Sequence, residues 1–284
     1  MPGLSCAPVD ASAATSLFTA CRIGKNCYRS WTMNKTIRTL AHPALLLMAF
    51  AAHGAFAADA SPTKAGPACA TTAAPRAVGY PWMSIGRWRQ MNDEHLARAA
   101  QGDIDVMFVG DSITEMWPKA VWEANFGQFK PANFGIGGDH TGNVLWRLQD
   151  PVMITIKPKL VVLLIGVNNI NLCGESAEDA FSGIEAVVAT LRRQYPAARI
   201  LLNAVLPEGR LPDAAERLTV GRLNKMVRTL GDGNTVFFRD YGARFVGADG
   251  TLSAELQPDF LHLSEKGYRI WADAIRPDIE KLLK

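Results

Sequence analysis

The sequence predicts a single doubly wound α/β domain, a five-stranded parallel sheet with helices on both faces. Two observations carry this prediction. Five short, near-continuous apolar runs recur along the chain, as strands buried on both faces require. Between them lie stretches with apolar residues at three- and four-residue spacing, the period of an amphipathic helix. Strand-helix alternation of this kind closes into a parallel sheet through right-handed crossovers.

The elements follow in order. Residues 1–57 read as a leader. From Met33 a basic start leads into an apolar stretch from Ala44 to Ala52, then to Ala55-Phe56-Ala57 before Ala58. That is the layout of a signal peptide over 33–57, with cleavage after Ala57 and a translation start at Met33. The stretch is too short to span a bilayer, so no stable membrane anchor is expected after cleavage. The other reading is a disordered extension ahead of a membrane-proximal helix. Residues 58–79, rich in Ala, Pro and Thr, predict a flexible linker, and 80–284 the folded domain. Strands are expected over 104–110, 131–136, 159–166, 198–206 and 234–239. Helices are expected over 141–148, 176–194, 213–230 and 264–283, the last capped by Ser264. The result is a three-layer α/β/α domain of the flavodoxin-like kind.

Composition narrows the function. Of 30 Lys and Arg and 27 Asp and Glu, five and one lie in residues 1–57. The remaining 25 and 26 nearly cancel, which gives no electrostatic case for a nucleic-acid or anionic-membrane partner. Export implies a periplasmic or secreted location. Leader cleavage leaves Cys69 and Cys173, which either pair in an oxidising compartment or stay as free thiols. No Cys/His cluster has zinc spacing, so no metal is expected.

Four segments carry chemistry, each at the end of an expected strand or on a loop beside it. Gly110-Asp111-Ser112 offers a serine hydroxyl, which needs a base to become a nucleophile. Gly135-Ile136-Gly137-Gly138-Asp139-His140 begins like a dinucleotide fingerprint. However, His140 stands at the third glycine position and no acid ends the next strand, so an oxyanion-binding turn fits better. Gly166-Val167-Asn168 offers a side-chain amide donor. Asp259-Phe260-Leu261-His262 places an acid where it can orient one ring nitrogen and leave the other as a base. Of the other histidines in the domain, His95 reads as a surface residue.

These four blocks, in this order over roughly residues 80–284, resemble the SGNH (GDSL) hydrolases; within them, Asn133-Phe134-Gly135-Ile136-Gly137-Gly138-Asp139 and Val144-Leu145-Trp146-Arg147-Leu148 resemble the platelet-activating-factor acetylhydrolase Ib catalytic subunits and bacterial relatives. The resemblance implies the SGNH-hydrolase fold, Ser112 as nucleophile, His262 as base and Asp259 as its orienting acid. It also implies an oxyanion hole of the Ser112 and Gly138 backbone N–H groups and the Asn168 side chain, with no cofactor. His140 departs from the usual small residue and would add a polar wall or a second titrating group. The loop Ile170–Gly174 looks longer than in those relatives.

The expected reaction is hydrolysis of short-chain, acetyl-like esters of small molecules. Ile113, Val167 and Leu261, each adjoining a site residue, would line a narrow acyl pocket. The rival within enzymes is a carbohydrate O-acetylesterase, with Trp117 and Trp122 stacking on sugar rings if they are not core residues. A rival of another class is a non-catalytic glycan- or lipid-binding module, which would lack a triad member.

Overall fold

A computed structural model describes residues 68–284; the leader and residues 58–67 of the expected linker lie outside the described residues. Five strands form one parallel sheet: β1 (Val106–Gly110), β2 (Pro131–Gly135), β3 (Leu160–Leu164), β4 (Arg199–Asn203) and β5 (Val236–Arg239). Their spatial order is β2-β1-β3-β4-β5. All five fall inside the runs expected from sequence; β1, β3 and β4 are buried almost throughout, while the edge strands β2 and β5 are only partly so.

Side chains alternate between two cores. Met107 and Val109 of β1 and Val161 and Leu163 of β3 face one layer. Phe108, Leu160, Val162 and Leu164 face the other. The first layer is built by α4 (Thr141–Leu148), α7 (Ala177–Gln194) and α8 (Ala215–Val227), with α1 (Ile85–Ala100) and α5 (Pro151–Thr155) at its side. The second is built by α3 (Lys119–Phe126) and α9 (Glu265–Leu282). Two short helices, α2 (Ser112–Glu115) and α6 (Val167–Asn171), follow β1 and β3 directly.

Local chemistry sets the helix starts. Ser176 and Asp179 form a reciprocal capping box at the head of α7, and the Ser264 hydroxyl accepts from Gly267 N–H at the head of α9. The inward stripe of α9 includes Tyr268, Trp271, Ile275 and Ile279, all buried; each such side chain contributes about 2 kcal/mol by leaving water.

Three expectations change here. Trp117 is buried and stacks on Trp271, and half-buried Trp122 packs edge-on against Phe108, so both are core residues rather than a sugar platform. His95 is half-buried, edge-on to Phe134, not a surface group. Burial, with Arg147 and Arg87 adding, pushes it down to about 3.

The third change concerns residues 68–79, which are a packed strap rather than a flexible linker. Cys69 and Cys173 form a disulfide with Cα atoms 6.3 Å apart. Ala70 N–H donates to Glu175 Oε1 at 3.1 Å, Gly142 N–H donates to Cys69 O at 2.8 Å, and Thr141 Oγ1 donates to Ala70 O at 2.7 Å. The strap lies so close that a Cβ on Gly142 would sit 2.4 Å from Thr72 O. Its backbone is satisfied largely by side chains and by the first turn of α4, so no periodic pattern announced it.

Candidate active site

The sheet order creates the site. β1 pairs with β2 on one side and β3 on the other, so the chain leaves β1 in one direction and returns on the opposite flank. A crevice opens at the carboxyl ends of strands where the order reverses in this way. Ser112, Gly138 and Asn168 all follow strands that end there.

Ser112 is the first residue of α2, so its N–H has no partner within the helix. Asp111 caps that helix, Oδ1 accepting from Ile113 N–H at 3.0 Å. Tyr268 Oη donates to Ile113 O at 2.7 Å and ties the turn to α9. Asp111 is itself buried. Burial pushes its carboxyl up to about 7, against the pull of the Ile113 N–H and with a further push from Asp139.

The loop before α9 brings the histidine to the serine. Ser112 Oγ and His262 Nε2 are 2.9 Å apart, and His262 Nδ1 and Asp259 Oδ2 are 2.7 Å apart. With the proton on Nδ1 toward the carboxylate, Nε2 is left as acceptor. Asp259 Oδ1 accepts from Leu261 N–H at 3.0 Å and His262 N–H at 2.7 Å. Phe260 at φ 59° makes the left-handed turn that folds acid onto base. Buried Gln257 pins the loop, donating through Nε2 to Pro207 O and Leu261 O, both at 3.0 Å. Burial would raise the Asp259 carboxyl, but the hydrogen bonds from the His262 ring and N–H and from Leu261 outweigh it and hold the group below its usual value.

The glycine turn runs alongside. A Cβ on Gly137 would lie 3.7 Å from Ser112 Cβ, and Gly138 takes φ +74°, a conformation that glycine adopts without strain. Among the described residues the Gly138 N–H has no acceptor. Asn168 is buried and gives one amide hydrogen to Asp139 O at 3.0 Å, which leaves the second for another acceptor.

Several residues here escaped sequence reasoning. Asp139 is fully buried, ion-paired to Arg76 Nη2 at 3.2 Å and Arg147 Nε at 2.9 Å, and accepts from Trp88 Nε1 at 2.6 Å. Glu115 accepts from Gly137 N–H through Oε2. Buried Asn169 joins Thr141 to Glu175. Asp139 and Asn169 adjoin named site residues, and a polar or charged residue inside an otherwise apolar or glycine-rich block was the available signal.

One further expectation is revised. Ile113 lies in the second core layer and Val167 in the first, with Leu261 half-buried beside the first, so the three do not form one pocket wall. Adjacency in sequence does not fix the face to which a side chain points. His140 is tied by Nδ1 to Cys69 O at 3.0 Å and so anchors the strap, and burial lowers its affinity for a proton. His140, Gly138 and Arg76 line a cavity of ≈ 330 Å³ with the disulfide, Leu172 from the 170–174 loop and the strap; Ser112, Asp259 and His262 do not line it.

A hydroxyl on an imidazole, the imidazole on a carboxylate and unpaired N–H groups beside them suit acyl transfer from an ester, and fold and site together place the chain among the carboxylic ester hydrolases. The model of the GDSL-like lipase/acylhydrolase family matches residues 108–270, and the chain belongs to that family. The platelet-activating factor acetylhydrolase IB subunit alpha1 of Bos taurus is 34% identical over 200 residues, 70% of this chain and 84% of that protein. A GDSL-like lipase from Bacteroides thetaiotaomicron superposes with a TM-score of 0.57 at 22% identity, covering 67% of this chain and 97% of its own. An acetyl xylan esterase superposes at 0.54 with 23% identity, covering 62% and 100%. At these identities the two structures show the shared fold.

Proposed function

We propose that the protein hydrolyses short-chain, acetyl-like carboxylic esters through a Ser112-His262-Asp259 triad and an acyl-enzyme. The carrying observation is the continuous hydrogen-bonded chain, 2.9 Å from Ser112 Oγ to His262 and 2.7 Å from His262 to Asp259. His262 Nε2 takes the serine proton as Oγ adds to the ester carbonyl. Charge then builds on the carbonyl oxygen and is met by the Ser112 and Gly138 N–H groups and the Asn168 amide. Collapse expels the alcohol, which takes the proton from His262; water repeats the sequence and releases the acid. The acetyl preference draws support from the 34%-identical acetylhydrolase subunit. No cofactor enters this scheme.

The test is a p-nitrophenyl ester series from acetate to octanoate on wild type and Ser112→Ala. Turnover should fall with chain length and fall by at least about 10³-fold in the variant. Activity surviving Ser112→Ala overturns the mechanism, and equal turnover of octanoate and acetate overturns the short-chain preference.

A second reading, a carbohydrate O-acetylesterase, is favoured by Trp82. It is 57% exposed, stacks on Tyr80 with planes 2° apart, and lies so near Gly138 that a Cβ there would sit 2.4 Å from its ring. A rigid indole beside an oxyanion donor suits a sugar ring on the alcohol side of the ester. Trp82→Ala should then raise KM for acetylated xylooligosaccharides and leave p-nitrophenyl acetate unaffected; equal effects on both argue against a sugar. Export belongs to the same proposal, supported by the Cys69–Cys173 disulfide. A mature protein beginning well before Ala58 in a mass spectrum would count against it.

A further inference from the structure

Arg76 is a buried cation without a role in the scheme above, and it lies outside the span matched by the family model. Its Nη2 donates to Gly137 O at 2.7 Å. The Gly137 carbonyl and the Gly138 N–H are the two ends of one peptide group. A cation pulling electron density toward that oxygen leaves the N–H more positive, and so a stronger donor, because hydrogen bonds across a peptide group reinforce one another.

We propose that Arg76 is a positioning residue that orients and polarises the Gly137–Gly138 peptide, strengthening the Gly138 N–H toward the developing oxyanion. The inference rests on the esterase reading with Gly138 in the oxyanion hole. Three features fit it. The guanidinium is locked: Asp139 pairs with the same nitrogen, and the Tyr80 and Trp88 rings lie 5.6 and 5.8 Å from its carbon. Gly137 is gripped at both ends, since Glu115 accepts from its N–H while Arg76 donates to its carbonyl. The site is dry, with the Arg76 side chain 3% exposed and Asp139 0%, so the charge is poorly screened.

Arg147 provides the control, because it also pairs with Asp139 but has no bond to Gly137 O. In the full-length protein, Arg76→Met should lower kcat for p-nitrophenyl acetate by about 10–100-fold with KM within about twofold, a loss confined to the transition state. The affinity for an alkylboronic acid, which forms a tetrahedral anion on the serine, should fall by the same factor as kcat. Arg147→Met should cost less than about threefold in both. Where Arg76→Met folds poorly, Arg76→Ala with added guanidinium supplies the second measurement, and the cation should restore kcat at constant Tm.

Equal losses in the Arg76 and Arg147 variants, unchanged boronate affinity, or absence of rescue from a folded Arg76→Ala would each overturn the proposal. Ser112→Ala separates its failure from that of the esterase reading. If the serine variant is inactive while Arg76 variants turn over normally, only the role of Arg76 falls.

Discussion

Asp259→Asn tests how much the carboxylate does beyond filling space. In the native loop one oxygen serves His262 Nδ1 at 2.7 Å while the other accepts two backbone N–H groups, from Leu261 and His262. Asparagine cannot reproduce all three bonds. With its NH₂ toward His262 the ring must accept at Nδ1 and carry its proton on Nε2, so it can no longer take the serine proton, a defect of about 10⁴-fold in serine hydrolases of this logic. With its oxygen toward His262, the NH₂ faces the two backbone donors. Two bonds to a charged acceptor are then lost, about 1.5 kcal/mol each at this half-exposed position. The cheaper orientation sets the outcome, about 3 kcal/mol, or about 10²-fold in kcat/KM. Initial rates on p-nitrophenyl acetate, with Tm measured alongside, read it directly. A loss smaller than about tenfold in a folded variant would mean that the carboxylate does not govern the histidine tautomer.

Three other outcomes follow from the same geometry. Asn168→Ala, removing a buried amide whose second hydrogen is free for the oxyanion, should lower kcat by about 10²–10³-fold with little change in KM, checked by steady-state kinetics. Asp111 is raised to about 7 when folded, so the native state holds a proton that the unfolded state releases near pH 4. Stability therefore falls as pH rises from about 4 to 7, by roughly 4 kcal/mol. Asp111→Asn should remove that decline, so that its Tm gains on wild type by roughly 10 °C across the window, and parallel Tm-pH curves would refute the assignment. Replacing Cys69 and Cys173 by serine releases a loop spanning a separation of 104 residues. It should cost about 2–4 kcal/mol in thermal unfolding and also lower kcat, because the strap carries Arg76.

The sheet was legible because its central strands are buried on both faces, and burial of that kind leaves an uninterrupted apolar run such as Leu160–Leu164. Helices α7 and α9 were legible through their caps and stripes, at Ser176 and Ser264, whereas the 16-residue α1 was not among the expected helices. The four site blocks were legible because each needs an uncommon residue at a strand end or on a tight turn. Direction was not legible. Ile113 and Val167 adjoin site residues yet turn into opposite cores, and Trp117, which sequence proximity suggested for a ligand face, stacks on Trp271 some 150 positions later. Such outcomes depend on which helix covers which face, a property of the assembled layers.

The strap was illegible for a different reason, and that reason bears on function. A segment that pairs its backbone with Thr141, Glu175 and Gly142 has no period of its own, and its Ala, Pro and Thr content reads as linker. Yet it delivers Arg76 to the Gly137-Gly138 turn and leads straight into Tyr80 and Trp82 beside it. The crossing point of the sheet fixes where a serine, a histidine and an amide can converge, and that much follows from strand order. What stands behind Gly138 and what flanks it come from outside the span of the family model, on a segment held by one disulfide. Exchanging this strap for an unrelated sequence should therefore leave the triad geometry intact while changing kcat and the preference among alcohols. A folded exchange variant with unchanged kcat and unchanged alcohol preference would show that the strap serves stability alone.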